Sequence, residues 1–328
     1  PSEVRCSVMA TLYAALMLAH LVVADQHPVI LAAGGSVAPL ALLGGFIGLI
    51  LMYRLGLRAL RRRAERAQSA GASTPGQSDK FNATELERYA RHIMLREIGG
   101  VGQKKFKQAK ILVIGAGGLG APALQYLAAS GVGKIGVIDD DLVENSNLQR
   151  QVIHQDAAIG TPKVFSAQTM MLAQNPYIDI RPYHRRLTKD IAAELCGEFD
   201  LLLDGSDNFD TRYLANETAV ALGMPLISGA LSQWEGQVAV FDPKTFGPCY
   251  ACVFPSAPAE GLAPSCAEAG VFAPLPGVVG AMMAAEALKL LSDAGTALRG
   301  DMLIYDALYG ETRKLKLTPR TNCAICGG

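Results

Sequence analysis

The chain has 328 residues, of which half are apolar and 18% are charged, and its mean hydropathy is +0.22. This composition excludes a disordered protein, because the apolar residues suffice for a core. The 30 basic and 30 acidic side chains cancel, which argues against a nucleic-acid binder that relies on overall positive charge. At roughly 100–200 residues per domain, the length allows one large or two modest domains.

The charge balance is the sum of two unequal parts of the chain. Residues 1–70 carry seven arginines against three acidic side chains, a net charge of +4, whereas the remainder carries 23 basic and 27 acidic side chains, a net charge of −4. The sequence therefore predicts two physically different objects joined in one chain.

Two apolar stretches in the first part have the composition of membrane spans. Residues 8–24 contain only Thr11 and His20 as polar interruptions, and residues 37–53 contain no charged side chain. Each stretch has 17 residues, which is at the short end of what crosses a hydrocarbon layer of ~30 Å, and neither shows the polar face of a core helix. We therefore expect two transmembrane helices, paired as a hairpin, within a first domain at residues 1–66.

A basic segment sets the predicted orientation of this hairpin. Six arginines between positions 54 and 66 follow the second apolar stretch, and excess Lys and Arg beside a membrane helix stays in the cytoplasm. The chain is thus predicted to be a multi-pass protein of the inner (cell) membrane, with residues 81–328 in the cytoplasm. A secretory signal peptide is the alternative, since Arg5 precedes an apolar run. The small polar residues 67–80 are predicted to form a flexible linker.

The remaining sequence begins with the pattern of a nucleotide-binding fold. Residues 110–114 form a short apolar run, typical of a strand buried on both faces, and a helical stretch at residues 121–130 precedes a second strand that ends at Asp139. Between the first strand and the helix lies a G-x-G-x-x-G loop, with glycines at Gly115, Gly117, Gly118 and Gly120. Such glycines permit a tight turn and close approach of backbone N–H groups to a phosphate at the helix N-terminus. Asp139 is placed to accept hydrogen bonds from a ribose hydroxyl.

Further strand patterns extend the predicted sheet. They fall at residues 177–184, 199–203, 225–228, 237–241, 303–305 and 313–317. Helical patterns at residues 209–222 and 278–291 lie between some of them. We predict an α/β fold with a Rossmann-like core, whose mixed sheet is parallel first and antiparallel toward the end. Three histidines, His92, His154 and His184, have no partner at ligand spacing and are interpreted as structural or surface residues.

Several motifs in a fixed order accompany the glycine loop. They are DDDLVENSNLQRQ at residues 139–151, GTPK at 160–163, LDGSDN at 203–208, RYARHI at 88–93 and two C-x-x-C pairs. Together they make residues 81–328 resemble the MoeB/ThiF/HesA family, the bacterial relatives of ubiquitin-activating enzymes, and most closely its MoeB branch. The resemblance implies a nucleotidyltransferase that uses ATP to adenylate the C-terminal glycine of a small ubiquitin-fold sulfur carrier.

The resemblance also assigns roles to particular residues. Those that match the family's ATP-binding and catalytic positions are Arg91, Asp139, Asn147, Arg150, Lys163 and Asp207. In the family the residue matching Arg91 reaches into the site of the partner subunit, which implies a homodimer. Asp207 is expected near Mg²⁺ and the reacting centre, although it also precedes a helical pattern and fits a helix N-cap. Asp140 and Asp141 are placed outside the site.

The cations in this set suit the implied chemistry. A carboxylate that attacks the α-phosphorus of ATP brings one anion to another, and two unit charges ~4 Å apart repel by about 4 kcal/mol at an effective dielectric constant of 20. The carboxylate is already ionised at neutral pH, so no general base is required. Fixed positive charge is required where negative charge accumulates, and Arg150, Lys163 and Arg91 are the candidates.

Four of the seven cysteines form the two C-x-x-C pairs. The pairs are Cys249 with Cys252 and Cys323 with Cys326. Four thiolates in two such pairs match a closed, tetrahedral structural zinc site, and a redox pair or a disulfide is the alternative. Cys266 lies in a proline-rich stretch, and by resemblance it is a candidate nucleophile toward the activated carrier. Cys196 lies in a helical pattern and is predicted to be part of the core.

The implied partners follow from the same resemblance. The carrier ends in Gly-Gly and is expected to be the small subunit of molybdopterin synthase or its thiamine-pathway counterpart, with a sulfurtransferase or cysteine desulfurase involved indirectly. The cofactors implied are ATP, Mg²⁺ and zinc. Two other functions stay open: an NAD-dependent oxidoreductase on the same glycine loop, and a non-enzymatic membrane scaffold. Neither gives a reason for both Arg150 and Lys163.

Overall fold

A computed structural model of the chain describes residues 46, 48–50, 52–56, 80–242, 247–258 and 269–327. The chain divides into two units, Pro1–Gly76 and Gln77–Gly328, and this division falls inside the stretch predicted to be a linker. In the first unit the described residues are helical and their side chains are exposed. Nearly all of the predicted membrane hairpin lies outside the described residues.

The second unit contains one eight-stranded sheet. Its strands are β1 (Lys110–Ile114), β2 (Lys134–Ile138), β3 (Asp179–Tyr183), β4 (Leu201–Asp204), β5 (Leu226–Leu231), β6 (Glu235–Phe241), β7 (Asp301–Asp306) and β8 (Glu311–Lys316). Their order across the sheet is β3-β2-β1-β4-β5-β6-β7-β8. Neighbours from β3 to β5 are parallel, and those from β5 to β8 are antiparallel. The predicted mixed sheet, parallel first and antiparallel toward the end, is confirmed.

Helices cover both faces of this sheet. They are α1 (Ala83–Ile93), α2 (Gly99–Gln108), α3 (Gly120–Ser130), α4 (Lys163–Gln174), α5 (Lys189–Cys196), α6 (Phe209–Leu222), α7 (Tyr250–Val253) and α8 (Pro274–Ser292). Among the described residues, α8 alone is long and apolar enough to cross a membrane, and half of its most apolar stretch is buried within the protein. Its residues Leu275, Val279 and Met283 are fully buried, which is the burial of a core helix.

The first strand shows why the sheet is buried on both sides. Ile111 and Val113 belong to one hydrophobic cluster, with residues of α3, α4 and α8. Leu112 and Ile114 belong to the cluster on the opposite face, with residues of α5 and α6. Successive side chains of a strand point to opposite faces, so a continuous apolar run satisfies both layers. Each of these four side chains is at most 3% exposed, and burying one contributes about 1.5–3 kcal/mol.

Candidate functional site

A cavity of about 420 Å³ opens at the carboxyl ends of the parallel strands. The chain reverses its direction of travel across the sheet between β1 and β4, since β2 and β3 lie on one side of β1 and β4 and β5 on the other. Ligands of open α/β sheets bind outside the strand ends at such a switch point. The loops after β1, β2 and β4 all contribute to the walls of this cavity.

The glycine loop forms the floor of the cavity between β1 and α3. Gly115 has φ +94°, a conformation that favours glycine, and its N–H donates to the Ile138 carbonyl at 2.9 Å. A Cβ on Gly120 would stand 1.9 Å from the Gly115 carbonyl oxygen, so no side chain fits there. Gly117 and Gly118 line the cavity, and their N–H groups have no partner among the described residues. These groups and the N-terminus of α3 are therefore available to an anion.

Asp139 closes the loop from the end of β2. Its Oδ2 accepts a hydrogen bond from the Ala116 N–H at 2.7 Å, and its Oδ1 accepts one from the Asp141 N–H at 2.8 Å. Burial raises the pKa of Asp139 above its ordinary value, although Lys163 and the two backbone donors oppose that rise. The carboxylate thus shapes the glycine loop and lines the cavity, where it keeps lone pairs for a ligand hydroxyl.

Lys163 is the first residue of α4 and is only 5% exposed. Its Nζ lies 2.6 Å from Asp141 Oδ2, and its backbone N–H donates to the Asp141 carbonyl at 3.0 Å. Asp140 and Asp141, which the sequence analysis placed outside the site, both line the cavity. Sequence position alone gave no signal for Asp141, because the contact joins residues 22 positions apart.

Arg150 enters the cavity from the segment that follows β2. Its guanidinium Nη1 donates to the Ser146 carbonyl at 3.0 Å, which directs the side chain along the wall. Asn147 is not among the cavity-lining residues: it is buried, and its Oδ1 accepts a hydrogen bond from the Glu144 N–H at 3.2 Å. The structure therefore brings Arg150 and Lys163 to one cavity and gives Asn147 a capping contact in the turn beside them.

Asp207 lies in the loop between β4 and α6 and lines the cavity. It is exposed and makes no hydrogen bond or ion pair with the part of the chain that the structure describes. The N-cap of α6 is Asn208, whose Oδ1 accepts a hydrogen bond from the Thr211 N–H at 2.9 Å, so the N-cap interpretation of Asp207 was wrong. The carboxylate of Asp207 is therefore uncommitted.

A buried ion pair that the sequence analysis missed holds this loop. Arg212, on α6, is 6% exposed and its Nη1 lies 3.7 Å from Asp204 Oδ2 at the end of β4. Asp204 Oδ1 accepts hydrogen bonds from the Ser206 N–H at 3.0 Å and hydroxyl at 2.6 Å, while Arg212 Nη2 donates to the Ser206 carbonyl. Burial raises the pKa of the neighbouring Tyr250 to about 12, which keeps its phenol neutral.

Two more residues of the segment after β2 lie here: Gln151, to which the sequence analysis gave no role, and His154, which it interpreted as a structural or surface residue. Gln151 lines the cavity and is 4% exposed, yet its buried Oε1 has no hydrogen-bond partner within the described structure. His154 is 6% exposed, and both of its ring nitrogens are hydrogen-bonded, one to the Ser166 hydroxyl and the other to the Ala116 carbonyl. A buried amide oxygen without a partner costs free energy, which a ligand in the cavity is placed to recover.

Arg91 stands apart from the cavity of its own chain. It is exposed on α1, its Nη1 donates to Met94 Sδ at 3.9 Å, and it does not line the cavity. Cys266 lies outside the described residues. The predicted roles of these two residues remain predictions.

The two C-x-x-C pairs come together at one point. Cys249 Sγ lies 3.9 Å from Cys252 Sγ and 3.7 Å from Cys323 Sγ, and Cys252 Sγ lies 3.4 Å from Cys326 Sγ. A tetrahedral zinc with Zn–S bonds of ~2.3 Å requires sulfur atoms about 3.8 Å apart. These separations exceed the S–S bond of ~2.05 Å, and all four cysteines are free, so the disulfide alternative was wrong.

The cysteine cluster ties the end of the chain to α7 and α6. Asn216, on α6, is 1% exposed; its Oδ1 accepts a hydrogen bond from the Tyr250 N–H at 2.8 Å, and its Nδ2 contacts Cys249 Sγ at 3.8 Å. Such outer contacts orient metal-ligating side chains. Cys196 is fully buried elsewhere in the core, as predicted, and burial raises its pKa to about 11.

The α/β fold thus carries a candidate nucleotide site, lined by the glycine loop, Arg150 and Lys163, and a four-cysteine cluster placed to hold a metal ion. Comparison with known proteins then gives the family. The family model described as the ThiF family matches residues 89–325, and the chain belongs to that family.

Relatives and solved structures agree with this assignment. The chain is 50% identical over 252 residues to the sulfur carrier protein adenylyltransferase of Thermus thermophilus, covering 76% of this chain and 93% of that one. It is 47% identical over 247 residues to the SAMP-activating enzyme E1 of Haloferax volcanii, covering 75% and 91%. A crystal structure of E. coli MccB with AMPCPP and MccA has a TM-score of 0.66 and 24% identity, covering 75% and 76%, which is a likeness of fold.

Proposed function

We propose that this protein uses ATP to adenylate the C-terminal glycine of a small ubiquitin-fold sulfur carrier and releases pyrophosphate. One observation carries the proposal: Arg150 and Lys163 converge on a cavity whose floor is a glycine loop with uncommitted N–H groups. Relatives covered over 90% of their length are named a sulfur carrier protein adenylyltransferase and a SAMP-activating enzyme. The activated carrier would serve sulfur transfer in cofactor biosynthesis.

The cavity offers matching groups to the phosphates and the ribose of ATP. The N–H groups of Gly117 and Gly118, at the N-terminus of α3, suit a phosphate. Asp139, at the end of β2, suits the ribose hydroxyls, which are hydrogen-bond donors to a carboxylate. Gln151 also lines the cavity, and its buried amide oxygen has no hydrogen-bond partner within the described structure. The chain therefore provides both the positive charge and the neutral polar contacts that a nucleotide requires.

The reaction joins two anions, and the cations determine whether they can meet. The carrier's carboxylate oxygen attacks the α-phosphorus, a C–O–P bond forms, and the bond to the β-phosphate oxygen breaks as pyrophosphate leaves. Lys163 is paired with Asp141 in the described structure, which holds its ammonium at the cavity wall. When ATP binds, a phosphate replaces Asp141 as the partner of this ammonium. Buried fixed charge of this kind stabilises the charge that accumulates in the transition state.

Asp207 is the carboxylate best placed for the Mg²⁺ that accompanies the triphosphate. Three other acids also cluster at the cavity, but each already has a partner: Asp139 accepts two N–H groups, Asp140 pairs with Arg186, and Asp141 pairs with Lys163. Asp207 has an exposed carboxylate without a partner in the described structure. Hard oxygen ligands of this type suit Mg²⁺, which supplies charge neutralisation on the phosphates.

The four cysteines are proposed to hold zinc in a structural role. Their sulfur separations fit a tetrahedral ion, and four thiolates leave no open position for substrate. The ion would fasten residues 323–326 to α7, and Tyr250 of this helix and Phe254 at its end line the cavity.

A homodimer with a shared site is proposed for Arg91. The guanidinium is exposed and does not line the cavity of its own chain, so we propose that a second copy of the chain brings this cation to the triphosphate. Mixing two inactive variants tests this. Arg91→Ala and Lys163→Gln subunits, combined and allowed to exchange, should regain about a quarter of the wild-type activity, because a mixed dimer has one intact site. No recovery on mixing would refute the shared site.

Membrane attachment through residues 1–66, with the ThiF-type domain in the cytoplasm, is also proposed. Its support is the pair of uncharged apolar stretches and the arginines that follow them. Alkaline extraction of cell membranes should leave the full chain in the pellet and release a chain that starts at residue 77. Release of both would contradict the proposal.

A covalent role for Cys266 toward the activated carrier would be seen as a thioester or acyl-disulfide that Cys266→Ser abolishes.

Isotope exchange between pyrophosphate and ATP tests the main proposal. Exchange should require Mg²⁺ and a carrier ending in Gly-Gly, and a carrier without its last glycine is the matched control. Arg150→Ala should abolish exchange while the protein stays folded. Absence of exchange with every carrier would refute the proposal. Thermal stabilisation by NAD rather than ATP would favour the oxidoreductase, and an Arg150→Ala variant with full cellular function would favour the scaffold.

A further inference from the structure

We infer that His154 is a positioning residue for nucleotide binding: its imidazole fixes the Ala116–Gly117 peptide so that the Gly117 N–H faces the phosphate site. The inference rests on the proposed function, since it concerns the same cavity. The sequence analysis treated His154 as structural or surface only. The structure places it beneath the glycine loop, 6% exposed, with both ring nitrogens engaged.

The hydrogen bonds of His154 determine which ring nitrogen carries the proton. Nε2 lies 2.9 Å from the Ala116 carbonyl oxygen, which can only accept, so Nε2 must be the donor. Nδ1 lies 2.9 Å from Ser166 Oγ, and in the neutral ring it accepts the hydroxyl proton. Burial lowers the pKa of His154, and the charge of Lys163 lowers it further, which keeps the ring neutral near pH 7.

These bonds leave one orientation for the peptide that follows Ala116. The Ala116 N–H is held by Asp139 Oδ2 at 2.7 Å and the Ala116 carbonyl is held by His154. In a trans peptide the carbonyl and the next N–H point in opposite directions, and the described chain has no cis peptide. The Gly117 N–H therefore points away from His154, and Gly117 lines the cavity. A peptide that lost the His154 bond could turn its carbonyl toward the phosphate and repel it.

The same ring connects three elements that the proposed chemistry needs. His154 follows Arg150 on the segment after β2, and its partner Ser166 lies one helical turn after Lys163 on α4. The imidazole thus joins the glycine loop, the arginine segment and the helix that starts at the lysine. Catalytic groups must be held within about 0.5 Å of their productive positions to be effective. A buried imidazole that both donates and accepts a hydrogen bond holds these three elements in place directly.

Three variants separate positioning from mere stability. His154→Leu keeps buried volume but removes both hydrogen bonds, His154→Gln keeps a donor near the place of Nε2, and Ser166→Ala removes the hydroxyl that donates to Nδ1. We expect the dissociation constant for ATP to rise about tenfold in His154→Leu and to return to within about threefold of wild type in His154→Gln. Ser166→Ala should fall between them.

The control is a buried hydrogen bond of the same kind far from the cavity. Asn175 is fully buried, and its Nδ2 donates to the Ala128 carbonyl at 2.6 Å and to the Tyr89 hydroxyl at 2.8 Å. Asn175→Leu should lower the melting temperature and leave the ATP dissociation constant unchanged. The measurement is ATP titration of the full chain under conditions where each variant is folded, together with KM and kcat for isotope exchange.

The outcomes separate this inference from the proposed function. A wild-type protein that does not bind ATP would overturn both. Wild-type binding with equal affinity in His154→Leu, or with His154→Gln as weak as His154→Leu, would overturn the positioning role alone. Should His154→Leu not fold, Ser166→Ala decides: a weaker ATP affinity supports the role, and an unchanged affinity overturns it.

Discussion

Replacing Gly117 by alanine should weaken nucleotide binding without disturbing the fold. An ideal Cβ at this position would meet one atom within 4 Å, Gln151 Nε2 at 3.6 Å, which is an ordinary van der Waals contact. The backbone of Gly117 is not in the left-handed region, so alanine causes no strain there. The stability change should therefore stay within about 0.5 kcal/mol, as for other substitutions without steric conflict.

The added methyl group does occupy space that a phosphate needs. Gly117 lines the cavity, and the methyl would hold a phosphate oxygen away from the uncommitted N–H groups of Gly117 and Gly118. A hydrogen bond to a charged group is worth about 1.5–3 kcal/mol, so the loss of one corresponds to roughly 10- to 100-fold weaker ATP binding. Gly120→Ala differs in kind, because its Cβ would stand 1.9 Å from a backbone oxygen and the loop could not keep its shape.

Calorimetric titration with ATP and thermal unfolding measure the two effects separately. Gly100→Ala on α2 is the matched control, because nothing lies within 4 Å of its Cβ position and it is remote from the cavity. We expect Gly100→Ala to bind ATP like wild type and Gly117→Ala to melt like wild type but bind weakly. Wild-type ATP affinity in Gly117→Ala would refute the assignment of this loop to the phosphates.

Three further predictions follow from the charges and thiols. Lys163→Gln should slow isotope exchange about 10²- to 10³-fold at saturating ATP, whereas Lys104→Gln, exposed on α2, should not; equal rates would remove Lys163 from the site. Zinc content should fall below one ion per chain in Cys326→Ser, and a chelator should lower the melting temperature of the wild type more than that of the variant. A wild-type protein that contains no metal and is as stable as the variant would exclude the ion. Burial depresses the pKa of His154 below 6.5, so the unfolded chain binds a proton at a higher pH than the native protein does. The free energy of unfolding should therefore fall as the pH falls from 6.5 toward the lowered pKa. A flatter pH profile of stability is expected in His154→Gln.

Much of the fold is dictated by patterns that span only a few neighbouring residues. The predicted helix at residues 209–222 coincides with α6, and the predicted run at residues 110–114 coincides with β1. Both carry their own signal, since one has an N-cap residue and the other is a short, largely apolar run rich in β-branched residues that ends at a glycine. The helix predicted at residues 278–291 starts earlier, at Pro274, because proline is well suited to a first helical turn.

The parts of the site that escaped prediction depend on contacts between distant elements. Asp204 meets Arg212 only because β4 and α6 fold back on each other, and His154 reaches Ala116 across 38 positions. Asp141 looked like one more acid in a run of three, yet α4 brings Lys163 to it. No spacing rule identifies such pairs, because the sheet order, and not the chain, sets which loops become neighbours.

Carrier adenylation can be measured by mass spectrometry of the carrier after incubation with this protein, ATP and Mg²⁺. We expect a carrier heavier by one adenylyl group, formed only when the terminal Gly-Gly is intact and lost when Lys163 is replaced. A carrier whose mass never changes while ATP is bound or consumed would contradict this expectation.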